Sequence, residues 1–307
     1  MTVGRFAPSP SGPLHLGNLR TALLAWCAAR HDGGTFLLRM EDLTTGAAPV
    51  AEAEQLADLA TLGLTHDGEI VRQSERRRLY DDAVRQLVRD GHTYDCYCSR
   101  REIREAAAAP HGELPEGAYP GTCRQLTASQ IRLFEREGRR PALRLRGDGA
   151  LVRIEDRARG VWSREVDDFV LRRADGVAAY NLAVVVDDAA QGVDQVVRGD
   201  DLLDTTPRQI RLQQLLGLPT ISSYLHVPLA LGSDGERLAK RHGAVGLTDQ
   251  LERGATVPDV IGLLASSAGL AEPGEQLSAD EVARRFDVAR LHPTPWVVDA
   301  DQLVWSH

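Results

Sequence analysis

The sequence predicts an α/β protein built on a parallel, nucleotide-binding sheet that an inserted segment divides in two. Three observations carry this reading. First, Val3 to Ala7 reads as an apolar strand that enters a turn stiffened by Pro8, Pro10 and Pro13. A run with helical spacing follows (Leu19, Ala22, Leu23, Trp26, Ala29), Gly33-Gly34 ends it, and Phe36-Leu37-Leu38 reads as the next strand, which completes a βαβ unit. Second, the same texture returns late in the chain. The sheet is expected to resume near Tyr180, with Val193 to Arg198 and His226 to Leu231 as strands around a helix at Pro207 to Leu216. Third, a helical stretch around Tyr80 to Arg89 gives way to a segment of different character. It holds Tyr94-Asp95-Cys96-Tyr97-Cys98, Tyr119-Pro120-Gly121-Thr122-Cys123 and short strands near Leu143, Leu151 and Val170. The expected division is 1–93 and 176–243 as the two halves of the nucleotide-binding domain, 94–175 as the insert, and 244–307 as a short helical appendage.

The first strand-to-helix turn is the best candidate site. It delivers His15 and Gly17 just ahead of a helix, with Asn18 as the expected N-cap. Backbone N–H groups and the positive end of the helix dipole suit such a place to phosphate, and a glycine lets a ligand approach the backbone closely.

Lys240 is the second signal. Of 36 basic residues it is the only lysine, in the Gly-rich stretch Glu236-Arg237-Leu238-Ala239-Lys240-Arg241-His242-Gly243. A compact ammonium binds phosphate as a point charge, which a planar guanidinium does not do in the same way. Chance retention of one lysine is the alternative. No Gly-x-x-x-x-Gly-Lys or Gly-x-Gly-x-x-Gly pattern occurs, which argues against P-loop and dinucleotide-binding readings.

Taken together, His15-Leu16-Gly17-Asn18 and Arg237-Leu238-Ala239-Lys240-Arg241 resemble the paired HIGH and KMSKS signatures of class I aminoacyl-tRNA synthetases. The blocks Arg39-Met40-Glu41-Asp42, Tyr180 to Asp188 and Val197 to Gln209 fall where the glutamyl-type members carry similar sequences. Only 64 residues follow Gly243, too few for the helical anticodon-reading domain of the full-length enzymes. The resemblance is therefore to the short, glutamyl-Q branch of the family. It implies a Rossmann-like class I catalytic fold and ATP-dependent activation of L-glutamate. It further implies transfer of glutamate to the queuosine base at the wobble position of tRNA(Asp), with Mg²⁺ accompanying ATP. The alternatives are a minimal glutamyl-tRNA synthetase that charges the 3′ end of tRNA(Glu), and a non-catalytic paralogue that binds an amino acid or RNA.

Activation of glutamate builds negative charge on phosphoryl oxygens, so the chemistry asks for placement and electrostatic stabilisation more than for a nucleophile. His15, Gly17, Asn18 and Lys240 are the expected catalytic residues, with His15, Gly17 and Lys240 binding ATP. Glutamate needs cations for its carboxylate, and Arg5 and Arg198 at strand positions can grip one in a bidentate way. The resemblance implies a pocket of Arg5, Ala7, Ser9, Glu41, Tyr180 and Arg198, with Glu41 facing the α-ammonium. Val184 stands where many full-length members carry asparagine, which implies fewer polar contacts to glutamate. Asp187-Asp188 reads as a structural or RNA-proximal turn.

Four cysteines without an export signal point to reduced thiols or metal. Cys96 and Cys98 alternate on a strand-like segment and Cys123 follows 25 residues on. Three thiolates leave a zinc site and small buried cysteines equally open. The family resemblance implies one structural Zn²⁺ held by Cys96, Cys98, Tyr119 and Cys123, and Cys27 reads as a core residue. No apolar run approaches the ~20 residues that span a bilayer, and no secretory signal is visible. The expectation is a cytoplasmic monomer without membrane contact. A net charge of −8 requires that any positive surface for tRNA be local, with Arg76 to Arg78, Arg100, Arg101, Arg104, Arg139 and Arg140 as candidates.

Overall fold

The computed structural model describes residues 1–31, 33–43, 49–107, 119–299, 303 and 305. Strand β1 (Val3–Phe6) leads into α1 (Leu16–His31), then β2 (Thr35–Met40), α2 (Pro49–Thr61), the two-residue β3 (Val71–Arg72) and α3 (Arg77–Arg89). The next stretch supplies β4 (Thr93–Cys96), α4 (Arg100–Ala107), α5 (Ala128–Arg136), β5 (Ala142–Leu145), β6 (Leu151–Asp156), β7 (Gly160–Glu165) and β8 (Val170–Arg172). Helix α6 (Tyr180–Ala190), β9 (Gln195–Gly199), α7 (Thr206–Leu216), β10 (Ser223–Val227) and β11 (Ala230–Gly232) follow. Helices α8 (Leu247–Glu252), α9 (Val257–Ser267) and α10 (Ala279–Arg284) precede β12 (Trp296–Val298).

Seven strands form one sheet in the order β3-β2-β1-β9-β10-β6-β7, parallel throughout except for the β6–β7 hairpin. The order of build-up reverses between β1 and β9. Such a switch point opens a crevice at the carboxyl ends of the two strands, where ligands of open α/β sheets bind. Helix α1 explains why the sheet is stable at this place. Its central residues from Ala22 to Ala29 are all buried, a pattern of a helix covered on every side. The sheet covers one side; on the other, Val260, Ile261, Leu264, Leu277 and Val282 of the C-terminal helical region join the same core. Strand β12 pairs in parallel with β11.

Four local expectations change. Tyr180 begins a helix, where the sequence suggested sheet. Its branched run has strand character locally, but Leu182, Val185 and Val186 pack against Tyr80, Val84 and Leu87 of α3 and Leu212 of α7. Asp187 and Asp188 therefore lie inside that helix and are buried, not in a turn. The expected strand His226 to Leu231 breaks at Pro228, which lacks the N–H a central strand must donate, and resumes as β11 in another sheet. Finally, β6 and β7 pair onto the large sheet, while β4, β5 and β8 form a separate antiparallel one.

The buried aspartates tie three elements together. Arg39 Nη1 of β2 donates to Asp188 at 2.7 Å and to Gln191 at 2.8 Å. Asp187 accepts from Gln73 at 2.9 Å, Arg76 Nε at 2.7 Å and the Tyr80 hydroxyl at 2.8 Å. Removing one partner from such a buried set costs on the order of 3–5 kcal/mol, because a charge is left unpaired. Arg76 is thus committed inward, away from the RNA-facing role suggested for it. Arg77, Arg101 and Arg139 pair with Asp81, Glu105 and Glu102.

Candidate active site

A cleft of about 790 Å³ opens at the switch point, and nine of the expected site residues line it: Arg5, Ala7, Ser9, His15, Gly17, Asn18, Glu41, Tyr180 and Arg198. Val184 is buried and is not among the lining residues. The three-proline turn forms one wall. Gln55, buried on α2, holds it by donating to the carbonyls of Ser9 at 3.1 Å and Gly12 at 2.6 Å.

The helix entry differs from the expected cap. His15, not Asn18, occupies the capping position. The Asn18 N–H reaches the His15 carbonyl at 2.8 Å and ring Nδ1 at 3.2 Å, while Asn18 Oδ1 accepts the His15 N–H at 3.3 Å. A reciprocal pair of this kind satisfies groups that a helix start leaves open. Because Nδ1 accepts, the ring proton belongs on Nε2. Burial pushes the His15 pKa down to about 4, and Arg237 and His242 push in the same direction. At neutral pH His15 is an uncharged donor. Leu16 N–H is taken by Val245 O at 2.7 Å and Leu19 N–H by His15 O at 3.0 Å, so in the first turn the Gly17 N–H alone has no acceptor among the described residues. A Cβ at Gly17 would lie 2.9 Å from Ala230 Cβ and 3.0 Å from the His15 ring, so a side chain there displaces the histidine.

The loop after β11 forms the opposite wall. Gly232 N–H bonds to Glu236 O at 2.8 Å and Leu238 N–H to Ala230 O at 2.9 Å, which folds a hairpin with Gly235 at φ +78°. His242 holds the far end, accepting the Ala239 N–H at 2.9 Å and meeting Asp234 at 3.0 Å. Arg237 crosses to Asp201 at 2.7 Å. The backbone of Lys240 opens a 3₁₀ turn, Lys240–His242, and its side chain lies outside the described part of the structure.

The floor is charged. Arg5 Nη1 reaches Val197 O at 3.4 Å and its Nε lies 3.5 Å from Asp188. Glu41 follows β2 directly and bonds through its N–H to Pro8 O at 2.9 Å. Its carboxylate lies 3.8 Å from Arg39 Nη2. Burial pushes the Glu41 pKa up to about 7; Arg39 and Arg5 oppose the rise, Asp188 and Asp187 add to it. Arg198, on β9, is held by Gln209 at 2.8 Å, Thr206 at 2.8 Å and His226 at 3.0 Å. The sequence offered no signal for Gln55, Thr206 or His226 as site residues: Gln55 lines the cleft but acts by holding the turn, and Thr206 and His226 lie behind the cleft surface and act through Arg198.

A second cluster lies apart from the cleft. The Sγ atoms of Cys96, Cys98 and Cys123 lie within 4.8 Å of one another. Tyr119 Oη is 3.4 Å from Cys96 Sγ and 3.5 Å from Cys98 Sγ, and Cys98 and Cys123 Sγ are 3.3 Å apart. A tetrahedral zinc with Zn–S bonds of about 2.3 Å has S···S edges of roughly 3.8 Å, so the donor set and its spacing fit that ion. Cys27 is buried in the main core.

Residues 1–305 match the family model described as tRNA synthetases class I (E and Q), catalytic domain. The chain is 56% identical over 302 residues to a glutamyl-Q tRNA(Asp) synthetase of Nocardia farcinica, covering 98% of this chain and 94% of that one. It is 47% identical to another protein of that name from Symbiobacterium thermophilum, over 99% and 98% of the two chains. A solved glutamate tRNA ligase from Elizabethkingia meningosepticum, in complex with its amino acid, superposes with a TM-score of 0.81 at 27% identity. That match covers 98% of this chain and 67% of the ligase. The chain belongs to the class I tRNA synthetase (E and Q) catalytic-domain family.

Proposed function

We propose that the protein activates L-glutamate with ATP and transfers the glutamyl group to the queuosine base at the wobble position of tRNA(Asp). One observation carries the reading: a single cleft combines two arginines and a carboxylate for an amino acid with a helix entry and a basic loop for phosphate. In the first step the glutamate α-carboxylate attacks the ATP α-phosphorus, a P–O bond forms, and the bond to the β-phosphate oxygen breaks to release pyrophosphate. His15 Nε2–H, the Gly17 N–H and the cationic loop with Arg237 and Lys240 would stabilise the charge that accumulates on the phosphoryl oxygens. Mg²⁺ would accompany the ATP phosphates. Arg5 and Arg198 would take carboxylate, Glu41 the α-ammonium, and Ala7, Ser9, Asn18 and Tyr180 would shape the cleft. In the second step an oxygen of the base attacks the acyl carbon and AMP leaves. The near-full-length identity to proteins named for this activity supports the choice of acceptor. Such an enzyme would act in the cytoplasm as a single chain, with residues 94–175 as the connective segment between catalytic segments 1–93 and 176–243, and 244–307 as a helical cap.

Glutamate-dependent ATP–pyrophosphate exchange is expected without any tRNA. Exchange that appears only with tRNA(Glu) would point to a minimal glutamyl-tRNA synthetase, and no exchange under any condition would contradict adenylate chemistry.

Cys96, Cys98, Tyr119 and Cys123 would hold one Zn²⁺ that pins the connective segment and takes no part in the reaction. Native mass spectrometry is expected to find one zinc per chain, reduced by Cys98→Ser. A fully stable, zinc-free protein would contradict this assignment.

A further inference from the structure

Arg198 is a buried cation that no carboxylate of the described residues pairs directly, Asp188 acting on it only at longer range. Its five bonds go to neutral groups, and among the described residues no carboxylate lies within ion-pair distance of it. A guanidinium out of water is costly unless something compensates its charge. The bonds fall into two sets. The three at 2.8–3.0 Å go to His226, Gln209 and Thr206, all buried. The two at 3.4 Å go to Tyr180 Oη and Leu202 O, both on the cleft wall. The inner bonds fix the plane of the group, and the outer Nη1/Nη2 edge is weakly held and faces the cleft. That edge is the one a carboxylate takes in bidentate fashion.

The device behind Arg198 is a row across three neighbouring strands. His226 on β10 stands beside Arg198 on β9 in the sheet register, and Asp156 lies at the end of β6 on the far side. Arg198 Nε–H donates to His226 Nε2, so that nitrogen carries a lone pair and the ring proton sits on Nδ1. Nδ1 meets Asp156 Oδ2 at 2.7 Å, and the His226 N–H reaches the same oxygen at 3.0 Å. Asp156 Oδ1 is fixed by the N–H groups of Ala158 at 2.9 Å and Arg159 at 2.8 Å. A direct Asp156–Arg198 pair would neutralise the guanidinium. A neutral histidine between them transmits the orientation and leaves the guanidinium without a direct ion pair, so that its outer edge can take the ligand's carboxylate.

We propose that His226, anchored and kept in its Nδ1–H form by Asp156, is a positioning residue that aims Arg198 at a carboxylate of the amino-acid substrate. This rests on the reading that the cleft binds glutamate. Two variants separate the roles of the ring nitrogens. Glutamine can place an amide oxygen near the Nε2 position and keep an acceptor for Arg198, whereas asparagine reaches only the Nδ1 position. In glutamate-dependent exchange, His226→Asn is expected to raise KM for glutamate about tenfold or more with kcat within about threefold, and His226→Gln to keep KM within about threefold of the parent. Equal KM values for the two variants, or a loss confined to kcat, would overturn the role. Arg198→Lys is the control for the underlying reading: an unchanged KM there would reject Arg198 as the carboxylate ligand, independently of His226. ¹⁵N NMR of the unaltered protein gives a test that needs no variant to fold. A proton on His226 Nδ1 is expected, and a proton on Nε2 would overturn the proposal.

Discussion

Replacing His15 with alanine is expected to slow glutamate-dependent ATP–pyrophosphate exchange roughly 10²- to 10³-fold, with little change in KM for glutamate. The reason is the state of the ring. His15 Nδ1 is engaged by the Asn18 N–H, which leaves Nε2–H as its only donor toward the cleft. With its pKa pushed down to about 4, the ring is neutral across the working range and supplies a hydrogen bond, not a charge. The kcat of the parent enzyme should therefore show no inflection from His15 between pH 5.5 and 8. A kcat that falls as pH rises through 6 to 7 would mean that a protonated histidine does the work. The alanine variant also loses the ring acceptor at the start of α1, so its helix content should be checked by circular dichroism alongside the kinetics.

Glu41→Gln is expected to separate binding from stability. In the folded chain the Glu41 pKa stands near 7, against 4.5 for the free group. Between these values the folded state holds a proton that the unfolded state has released, so stability falls as pH rises through the window. Above it the full cost of an ionised, largely buried carboxylate is present, roughly 3–4 kcal/mol for a shift of this size. Removing the charge should therefore make the variant more stable than the parent at pH 8, and the difference should vanish near pH 4. Function moves the other way. An ammonium group needs the ionised carboxylate, so KM for glutamate should fall in the parent as pH rises through about 7. The glutamine variant should lose that dependence and bind glutamate on the order of 10²-fold more weakly. Equal stability of the two proteins at pH 8 would show that Glu41 is not held under strain in the empty cleft.

Much of this site is legible in the sequence because its residues stand next to the features that position them. Arg5 and Arg198 lie on strands β1 and β9, Glu41 directly follows β2, and His15 and Gly17 follow a turn that three prolines confine. What stays hidden is set by partners distant in the chain. The His15–Asn18 exchange inverts the expected cap because the histidine ring supplies the acceptor that asparagine was expected to supply. The run Tyr180 to Asp188 contains three consecutive valines and reads as sheet, until packing against α3 and α7 imposes the helical period on it. Asp187 and Asp188 then face the half-buried Arg76 and the buried Arg39, pairings that span more than a hundred positions. The row Asp156–His226–Arg198 exists only because β6 joins the large sheet beside β10, and nothing local to Leu151 to Asp156 specifies that pairing.

The cleft explains how glutamate would be activated; the nucleic acid that receives it is the more demanding question. Radiolabelled glutamate, ATP and Mg²⁺ supplied to two tRNA pools, one with queuosine and one from cells unable to make it, address it directly. Label confined to tRNA(Asp) of the queuosine-containing pool is the expected result. Equal labelling of tRNA(Glu) in both pools would contradict it, and would make the protein a short synthetase that charges the 3′ end.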